Sequence, residues 1–277
     1  MKTIIVPTDF SESSLNAVRY AADMACAINT DLAILHVVST PKNFLESSPP
    51  IYSVSEVVEE GEKQLKLLKI NMLVRTHNKI DVFIRVIIGE FLPVVVDYCN
   101  MINPFAIVMG AESRGSFERI FLGGNSISSL KRLSYPLIVV PDKAAFTGLK
   151  KIGLACDFKD VFDTIPVTEI TNLLKALSAE LYVLHVSPDT IDSICEETDE
   201  EALWLQDLIG DFKPKYRFIE GTDVEKGITE FADKNKLDLL IVIPKWHNAI
   251  SKLFHRSHSK QLVLQSHVPV MAIHEQD

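Results

Sequence analysis

The stretch from Met109 to Ser126 reads MGAESRGSFERIFLGGNS and combines residue types that bind phosphate. A phosphate group is held best where several backbone N–H groups converge at the start of a helix, because the helix dipole adds positive potential there. Gly123 and Gly124 allow the backbone to approach a ligand closely. Asn125 or Ser126 can cap the helix that ISSLKRL predicts next. The order of these residues is typical of a phosphate-binding loop.

Two arginines in the same stretch, Arg114 and Arg119, can add charge-assisted hydrogen bonds to phosphate oxygens. A pair of glycines before a helix is also common in plain turns that bind nothing. The spacing alone therefore leaves two interpretations open, a phosphate site and a structural turn.

Polar residues also follow the first apolar run of the chain, TIIVP. Thr8 and Asp9 come directly after this run, and Gly110 follows a later run, FAIVM. In open α/β sheets, ligands bind beyond the carboxyl ends of the strands, at the point where the strand order reverses. We therefore expect these residues to be neighbours at one end of a sheet. A further run ends in Val37 and Val38, whose apolar side chains suit a flat ring such as a base.

The two halves of the chain resemble each other, which indicates an internal duplication. KTIIVPTDF near the start returns as KKIGLACDF, so that Asp157 takes the place of Asp9. DLAILHVVS returns as AELYVLHVS, with His36 and His185 in corresponding positions. The repeat restarts near PDKAAFTGLK, and we predict domains at residues 1–143 and 149–277.

Each half alternates short apolar runs with helical patterns, and this alternation predicts the fold. Runs that are nearly continuous in Ile, Val and Leu favour parallel strands covered on both faces. We predict an α/β fold of two tandem, Rossmann-like domains, each an open five-stranded parallel sheet flanked by helices. The predicted strands are 3–7, 32–38, 82–88, 105–109 and 137–140 in the first half, and 152–155, 181–186, 216–219, 239–243 and 270–273 in the second.

Composition excludes several classes of partner. A net charge of −9 and a pI near 5.4 argue against a nucleic acid, whose binding needs a clustered positive surface. No apolar run is long enough to span a bilayer, and the first one lacks the pattern of a secretory signal, so we expect a cytoplasmic protein that binds no membrane. The four cysteines form no CxxC pair and are predicted to be reduced and buried.

The second half carries a basic, histidine-rich segment where the first half has its glycine loop. Five histidines lie between His247 and His274, without a nearby cysteine or carboxylate pair, and we therefore predict no metal site. The segment is either a solvated loop or a docking site for an anion or acidic partner. Its basic residues are Lys245, Lys252, His255, Arg256, His258 and Lys260.

With these motifs the chain resembles the universal stress protein family, as two complete copies. The resemblance rests on IIVPTDFSESS, LHVVS, IVMGAES, LGGNS and YPLIVVP. In the family's ATP-binding branch the loop runs glycine, two residues, glycine, nine residues, glycine, then Ser or Thr. Gly110 and Gly123 match the first and third glycines. Ser113 replaces the second glycine, where its Cβ resists a left-handed backbone at a cost of about 1 kcal/mol, and Gly124 replaces the hydroxyl residue.

The resemblance implies a site in the first half for ATP or AMP, with Mg²⁺ as a companion ion. Asp9 and Val37 would line the base and ribose, Gly110 would approach the ribose and phosphates, and the loop would hold the phosphates. The full set of implied binding residues is Pro7, Thr8, Asp9, Val37, Gly110, Ser113, Arg114, Gly123, Gly124, Asn125 and Ser126.

The second half departs further from the family pattern. Pro244, His247 and Ser257 stand where its three glycines belong, so we expect no nucleotide there.

Three functions remain open from the sequence. The first is a stress-adaptation protein that binds nucleotide in domain 1 and uses domain 2 as a scaffold. The second is slow ATP hydrolysis supported by Asp9, although no nucleophile and base pair is recognisable. The third is a nucleotide-free protein that acts through its surfaces. The resemblance also implies that the fifth strands of the two halves pair within one chain, and a homodimer is compatible with the sequence.

Overall fold

The computed structural model describes residues 2–39, 53–111, 135–188, 196–244, 262 and 266–274. The chain divides into two compact units, Met1–Tyr135 and Pro136–Asp277. Several predicted features lie outside the described residues and remain sequence-based expectations. These are Ser113, Arg114, Arg119, Gly123, Gly124, Asn125, Ser126, Cys195 and the basic segment 245–260.

The first unit is a parallel sheet with helices between its strands. Its elements are β1 (Thr3–Pro7), α1 (Glu12–Ala27), β2 (Asp31–Val38), α2 (Val54–Arg75), β3 (Val82–Ile88), α3 (Phe91–Ile102) and β4 (Ala106–Ala111). The strand order is β3-β2-β1-β4, and the β1–β2, β2–β3 and β1–β4 pairs are parallel. The chain moves outward from β1 to β3 and then returns to the other side of β1. The order therefore reverses between β1 and β4, which is the predicted switch point.

The core of this unit follows from its apolar runs. Ile4, Ile5 and Ile107 of the central strands are fully buried, as expected for a sheet covered on both faces. Helix α1 presents a stripe of small residues to the sheet, including the fully buried Ala17 and Ala21. Small side chains let the helix lie close to β1 and β4, so its first turn is held at the end of the strands.

The second unit repeats this pattern and also contains the fifth strand of the first repeat. Its elements are β5 (Leu137–Pro141), β6 (Lys151–Ala155), α4 (Val161–Thr164), α5 (Val167–Leu177), β7 (Glu180–Ser187), α6 (Glu196–Ile209), a 3₁₀ turn (Gly210–Phe212), β8 (Lys215–Glu220), α7 (Val224–Asn235), β9 (Leu239–Val242) and β10 (Val270–Ala272). The order is β5-β10-β9-β6-β7-β8. β5 pairs antiparallel with β10 from Leu137↔Ala272 to Val139↔Val270, and the other described ladders are parallel.

The predicted fold class is confirmed, since both units are α/β with mostly parallel sheets. One local difference separates the repeats. The single helix α1 corresponds to two short helices, α4 and α5, in the second repeat. Pro166 lacks an N–H group, and it disfavours the helical region for Ile165, which is extended at φ −80° and ψ 117°. The helix that would begin beneath the strand ends is thus interrupted after four residues.

Two further observations concern the described part of the chain. None of its helices is long and apolar enough to cross a membrane. Cys26, Cys99 and Cys156 form no disulfide, and Cys26 is only partly buried, unlike the other two. Burial raises the pKa of the Cys99 thiol to about 12, so this cysteine is a protonated core residue at neutral pH.

Candidate functional site

The carboxyl ends of β1, β2 and β4 meet around the first turn of α1. Five predicted binding residues belong to this region, namely Pro7, Thr8, Asp9, Val37 and Gly110. Pro7 ends β1 and pairs with Leu35, so that Val37 lies two residues further along β2. Val37 is half-buried and Asp9 is exposed, which leaves an apolar and an anionic side chain accessible at the same end of the sheet.

Thr8 is a framework residue of this region, because the protein itself engages its hydrogen-bonding groups. Its backbone N–H donates to the Leu35 carbonyl at 2.8 Å. Its buried hydroxyl accepts from the Phe10 N–H at 3.0 Å and lies 2.9 Å from the Ser14 hydroxyl. These contacts tie the end of β1 to β2 and to the first turn of α1.

Asp9 is a carboxylate held in its ionised form. Partial burial alone would raise its pKa, but hydrogen bonds from Ser11 and Ser14 outweigh that effect and hold the pKa below the ordinary value. Oδ1 accepts from the Ser11 hydroxyl at 2.6 Å and from the Ser11 N–H at 3.0 Å. Asp9 therefore presents an acceptor-only group that suits a hydroxyl or amine donor of a ligand.

Ser11 links this carboxylate to the helix, and its replacement is expected to weaken both. As the N-cap of α1, its Oγ accepts from the Ser14 N–H at 3.3 Å. Ser11→Ala should lower the free energy of unfolding by about 1 kcal/mol, measured by denaturant titration at neutral pH. It should also raise the pKa of Asp9 toward the ordinary value, measured by NMR titration of the carboxyl carbon.

The sign of the pH effect follows from the depressed pKa. Asp9 stabilises the fold above its unfolded-state pKa, and this contribution is lost as the pH falls through the lower folded-state pKa. Ser53→Ala is the matched control, because Ser53 caps α2 in the same way without touching Asp9. If Ser11→Ala left the pKa of Asp9 unchanged, the hydrogen-bond explanation of its shift would be wrong.

Gly110 lies against the backbone at the start of α1. A Cβ atom at this position would be 2.3 Å from the Ser13 carbonyl oxygen and 3.1 Å from the Ser14 nitrogen. Only a residue without a side chain lets β4 pass so close to the helix. The structure therefore gives Gly110 a packing role in addition to the ligand approach predicted from sequence.

Phe10 and His36 complete the framework, and the sequence did not predict Phe10 as part of it. Phe10 has a left-handed backbone at φ 64°, and its ring centroid lies 4.6 Å from that of His36. His36 Nδ1 is 2.8 Å from the Thr8 carbonyl oxygen. Because a carbonyl only accepts, Nδ1 carries the hydrogen and donates. The signal that could have revealed this unit is the Asp-Phe pair that occurs in both repeats.

The second repeat contains the same framework. Phe158 also has a left-handed backbone, at φ 51°, and its ring centroid lies 5.2 Å from that of His185. His185 Nδ1 is 3.0 Å from the Cys156 carbonyl oxygen, and Cys156 Sγ accepts from the Phe158 N–H at 3.4 Å. This recurrence indicates that the histidines hold the strand ends in both repeats and are not specific to a ligand.

The helix starts of the two repeats differ in what occupies them. The Val161 N–H, at the start of α4, donates to Glu201 Oε2 at 2.8 Å. A carboxylate of the protein thus already occupies this N–H group. Phe162 and Trp204 pack beside it with ring centroids 5.7 Å apart. Pro244, at the position of Gly110, has no N–H to offer.

Comparisons with known proteins agree with this architecture. A universal stress protein of Methanocaldococcus jannaschii is 29% identical over 143 residues, which are 50% of this chain and 81% of that protein. A universal stress protein structure from Archaeoglobus fulgidus DSM 4304 has a TM-score of 0.73 at 19% identity and covers 99% of this chain and 97% of its own. A functionally unknown protein from Pseudomonas aeruginosa PAO1 has a TM-score of 0.61 at 12% identity, covering 99% and 93%.

The model of the universal stress protein family matches residues 1–141 and 148–274. This match covers most of the chain in two consecutive copies, as the resemblance of the motifs implied. The protein therefore belongs to the universal stress protein family.

Proposed function

We propose that the first copy binds an adenine nucleotide, ATP or AMP, beyond the carboxyl ends of β1, β2 and β4. The observation that carries this proposal is the ionised, exposed Asp9 at the switch point between β1 and β4, beside the start of α1. Ligands of open α/β sheets bind at such reversals of strand order. The bound state would serve as a signal in stress adaptation, which is the role proposed for the protein.

Each part of the nucleotide matches a different residue of the site. The Asp9 carboxylate would accept a hydrogen bond from a ribose hydroxyl. Val37, half-buried at the end of β2, would pack against the adenine ring. The phosphates would lie at the loop that contains Gly123, Gly124, Asn125 and Ser126, with Arg114 nearby, and this part of the proposal rests on the sequence. Mg²⁺ would accompany ATP through the phosphate oxygens.

We propose further that the second copy is a scaffold without a nucleotide. Three of its features support this. Glu201 occupies the Val161 N–H group, Pro166 interrupts the helix, and Pro244 replaces the glycine of the first copy. Pro244 removes a backbone N–H group at the position of Gly110, and the other two features alter the helix start that corresponds to α1.

The experiment that tests the proposed function starts from freshly purified protein. The protein is denatured, and released nucleotide is identified by chromatography and mass spectrometry. ATP and AMP are then titrated into nucleotide-free protein by calorimetry. We expect carried-over adenine nucleotide or a binding heat. If no nucleotide is carried over and no binding heat appears at ligand concentrations of about 1 mM, the nucleotide function is excluded. A dissociation constant of about 1 mM corresponds to a binding free energy of only about 4 kcal/mol.

We also infer that the two family copies pair through their fifth strands. β5 belongs to the first family match and β10 to the second, and their antiparallel ladder runs through Ile138↔Met271. The strands are short and almost fully buried, which is typical of paired strands. A protease site inserted between Asp142 and Gly148 should yield two fragments that co-elute in size-exclusion chromatography. Separation of the fragments without denaturant would contradict this pairing.

A further inference from the structure

The strand β3 has one paired edge and one edge without a partner among the described residues. It pairs with β2 in parallel over its whole length, from Leu32↔Val82 to Val38↔Ile88. It is the terminal strand of its sheet. An edge strand presents a row of backbone donors and acceptors that can pair with another strand.

Hydrogen bonds at the two ends of β3 identify the backbone groups on its outer edge. Leu32 N–H donates to the Asp81 carbonyl, and the Gly89 N–H donates to the Val38 carbonyl, both at 3.0 Å. The backbone N–H and C=O groups of the odd-numbered residues therefore point toward β2. Because successive residues of a strand point in opposite directions, the even residues present their N–H and C=O groups outward. These are Val82, Ile84, Val86 and Ile88.

The side chains along this edge are mostly apolar and partly exposed. Phe83 and Ile88 are each 50% exposed, and the one charged residue of the strand is Arg85, also exposed. Natural edge strands usually carry charges or prolines that prevent association with another chain. A single arginine in seven residues gives β3 little protection of this kind.

The corresponding strand of the second repeat, β8, is protected in the expected way. His36 pairs with Val86 and His185 with Phe218, which aligns the two strands. By this alignment Lys215 occupies the position of Phe83, and Glu220 occupies the position of Ile88. Lys215 is paired with Glu180 at 2.9 Å. The corresponding strands β3 and β8 thus differ in the number of charged side chains, which is the property that controls association at a sheet edge.

We propose that β3 pairs antiparallel with β3 of a second copy of this chain, about a two-fold axis. A two-fold interface uses the same surface on both copies, so the strand must complement itself. The register that places Ile84 opposite Ile84 also places Val82 of each copy opposite Val86 of the other, and these three pairs use outward backbone groups. It sets Phe83 of each copy opposite Arg85 of the other, where the guanidinium can lie over the ring.

A neighbouring register is disfavoured by charge. Centring the pair on Arg85 would place two guanidinium groups directly opposite each other, and like charges in that position are destabilising. The register centred on Ile84 therefore brings together the favourable pair Phe83 and Arg85, whereas the register centred on Arg85 brings together two like charges. This self-complementarity is the reason for choosing a second copy of the chain as the partner. The proposed interface lies along the outer edge of β3 and does not depend on nucleotide binding.

Sedimentation velocity of the full chain, over about 1 to 100 µM, measures this association. We expect a monomer–dimer equilibrium in this range. Phe83→Lys, which copies the residue of β8, should raise the dimer dissociation constant about tenfold or more. Leu67→Lys is the matched control, because Leu67 is 58% exposed on α2 and lies outside the edge. It should leave the dissociation constant unchanged.

Disulfide trapping tests the register itself. Ile84→Cys should form a covalent dimer under mild oxidation, because the two substituted residues face each other across the axis. Val74→Cys, exposed on α2, should form none above the wild-type background. The proposal would be overturned by a wild-type chain that stays monomeric, by a dimer insensitive to Phe83→Lys, by equal weakening from Leu67→Lys, or by equal crosslinking of the two cysteine variants.

Discussion

Gly110→Ala is expected to destabilise the protein by about 1 to 3 kcal/mol, the usual cost of forcing extra atoms into a packed interior. The added methyl group would lie 2.3 Å from the Ser13 carbonyl oxygen, well inside contact distance. The obstacle is backbone, which has no alternative rotamer to adopt. Either β4 or the first turn of α1 must therefore move, and both lie beneath the proposed nucleotide.

The matched control is Gly221→Ala in the second copy. A Cβ atom there would come no closer than 3.7 Å to Val186, and the backbone of Gly221 is not left-handed. Replacing such a glycine by alanine reduces the entropy of the unfolded chain and is usually neutral or stabilising by less than about 1 kcal/mol. The two substitutions should therefore have opposite or clearly unequal effects in denaturant titrations. Equal effects would contradict the close packing described for Gly110.

Gly123→Val is expected to weaken ATP binding by about a hundredfold or more. In the proposed site the loop offers backbone N–H groups to the phosphates, and a β-branched side chain would crowd the phosphates and restrict the backbone. Loss of two hydrogen bonds to a charged group, at about 1.5 kcal/mol each, corresponds to about 3 kcal/mol, or more than a hundredfold in affinity. Calorimetric titration of ATP measures the effect.

The second copy supplies the control for this prediction. Ser257 stands where Gly123 stands in the first copy, so Ser257→Val introduces the same valine side chain at the corresponding position of the second copy. It should leave the ATP affinity unchanged. Equal losses from the two substitutions would contradict the assignment of the nucleotide to the first copy.

Much of the fold could be predicted because its strands are continuous apolar runs. The predicted bounds of β1 and β3 agree with the structure, and the other strands differ by one or two residues at their ends. A strand of a parallel sheet that is buried on both faces needs apolar residues at successive positions, so it is visible in the sequence as a continuous apolar run. β5 lies within the first family match, and it pairs with β10, which lies within the second. The pairing of β5 with β10, which lie far apart in the sequence, leaves no pattern in either segment alone.

The sequence predicted where the described candidate residues lie at the strand ends, but not the framework that holds them. Thr8, Asp9 and Gly110 were recognisable because each follows an apolar run. Phe10 has a left-handed backbone, and its ring packs against that of His36, which is 26 positions away in sequence. Contacts of this kind are set by the sheet register, which a single sequence does not display.

The difference between the copies also depends partly on tertiary structure. Pro166 is visible in the sequence as a helix breaker. The Glu201 carboxylate, by contrast, reaches the Val161 N–H group from 40 residues away. No local pattern identifies that contact. Pro166 and Glu201 together account for the altered helix start of the second copy, which keeps the Phe158 and His185 framework.

The central claim is that one copy of the duplicated site binds nucleotide and the other does not. The most direct measurement is the stoichiometry of ATP binding to nucleotide-free full chain, determined by calorimetry with protein concentration measured independently. We expect one nucleotide per chain, with the heat lost in Gly123→Val and retained in Ser257→Val. Two nucleotides per chain, or one that Ser257→Val removes and Gly123→Val does not, would contradict it.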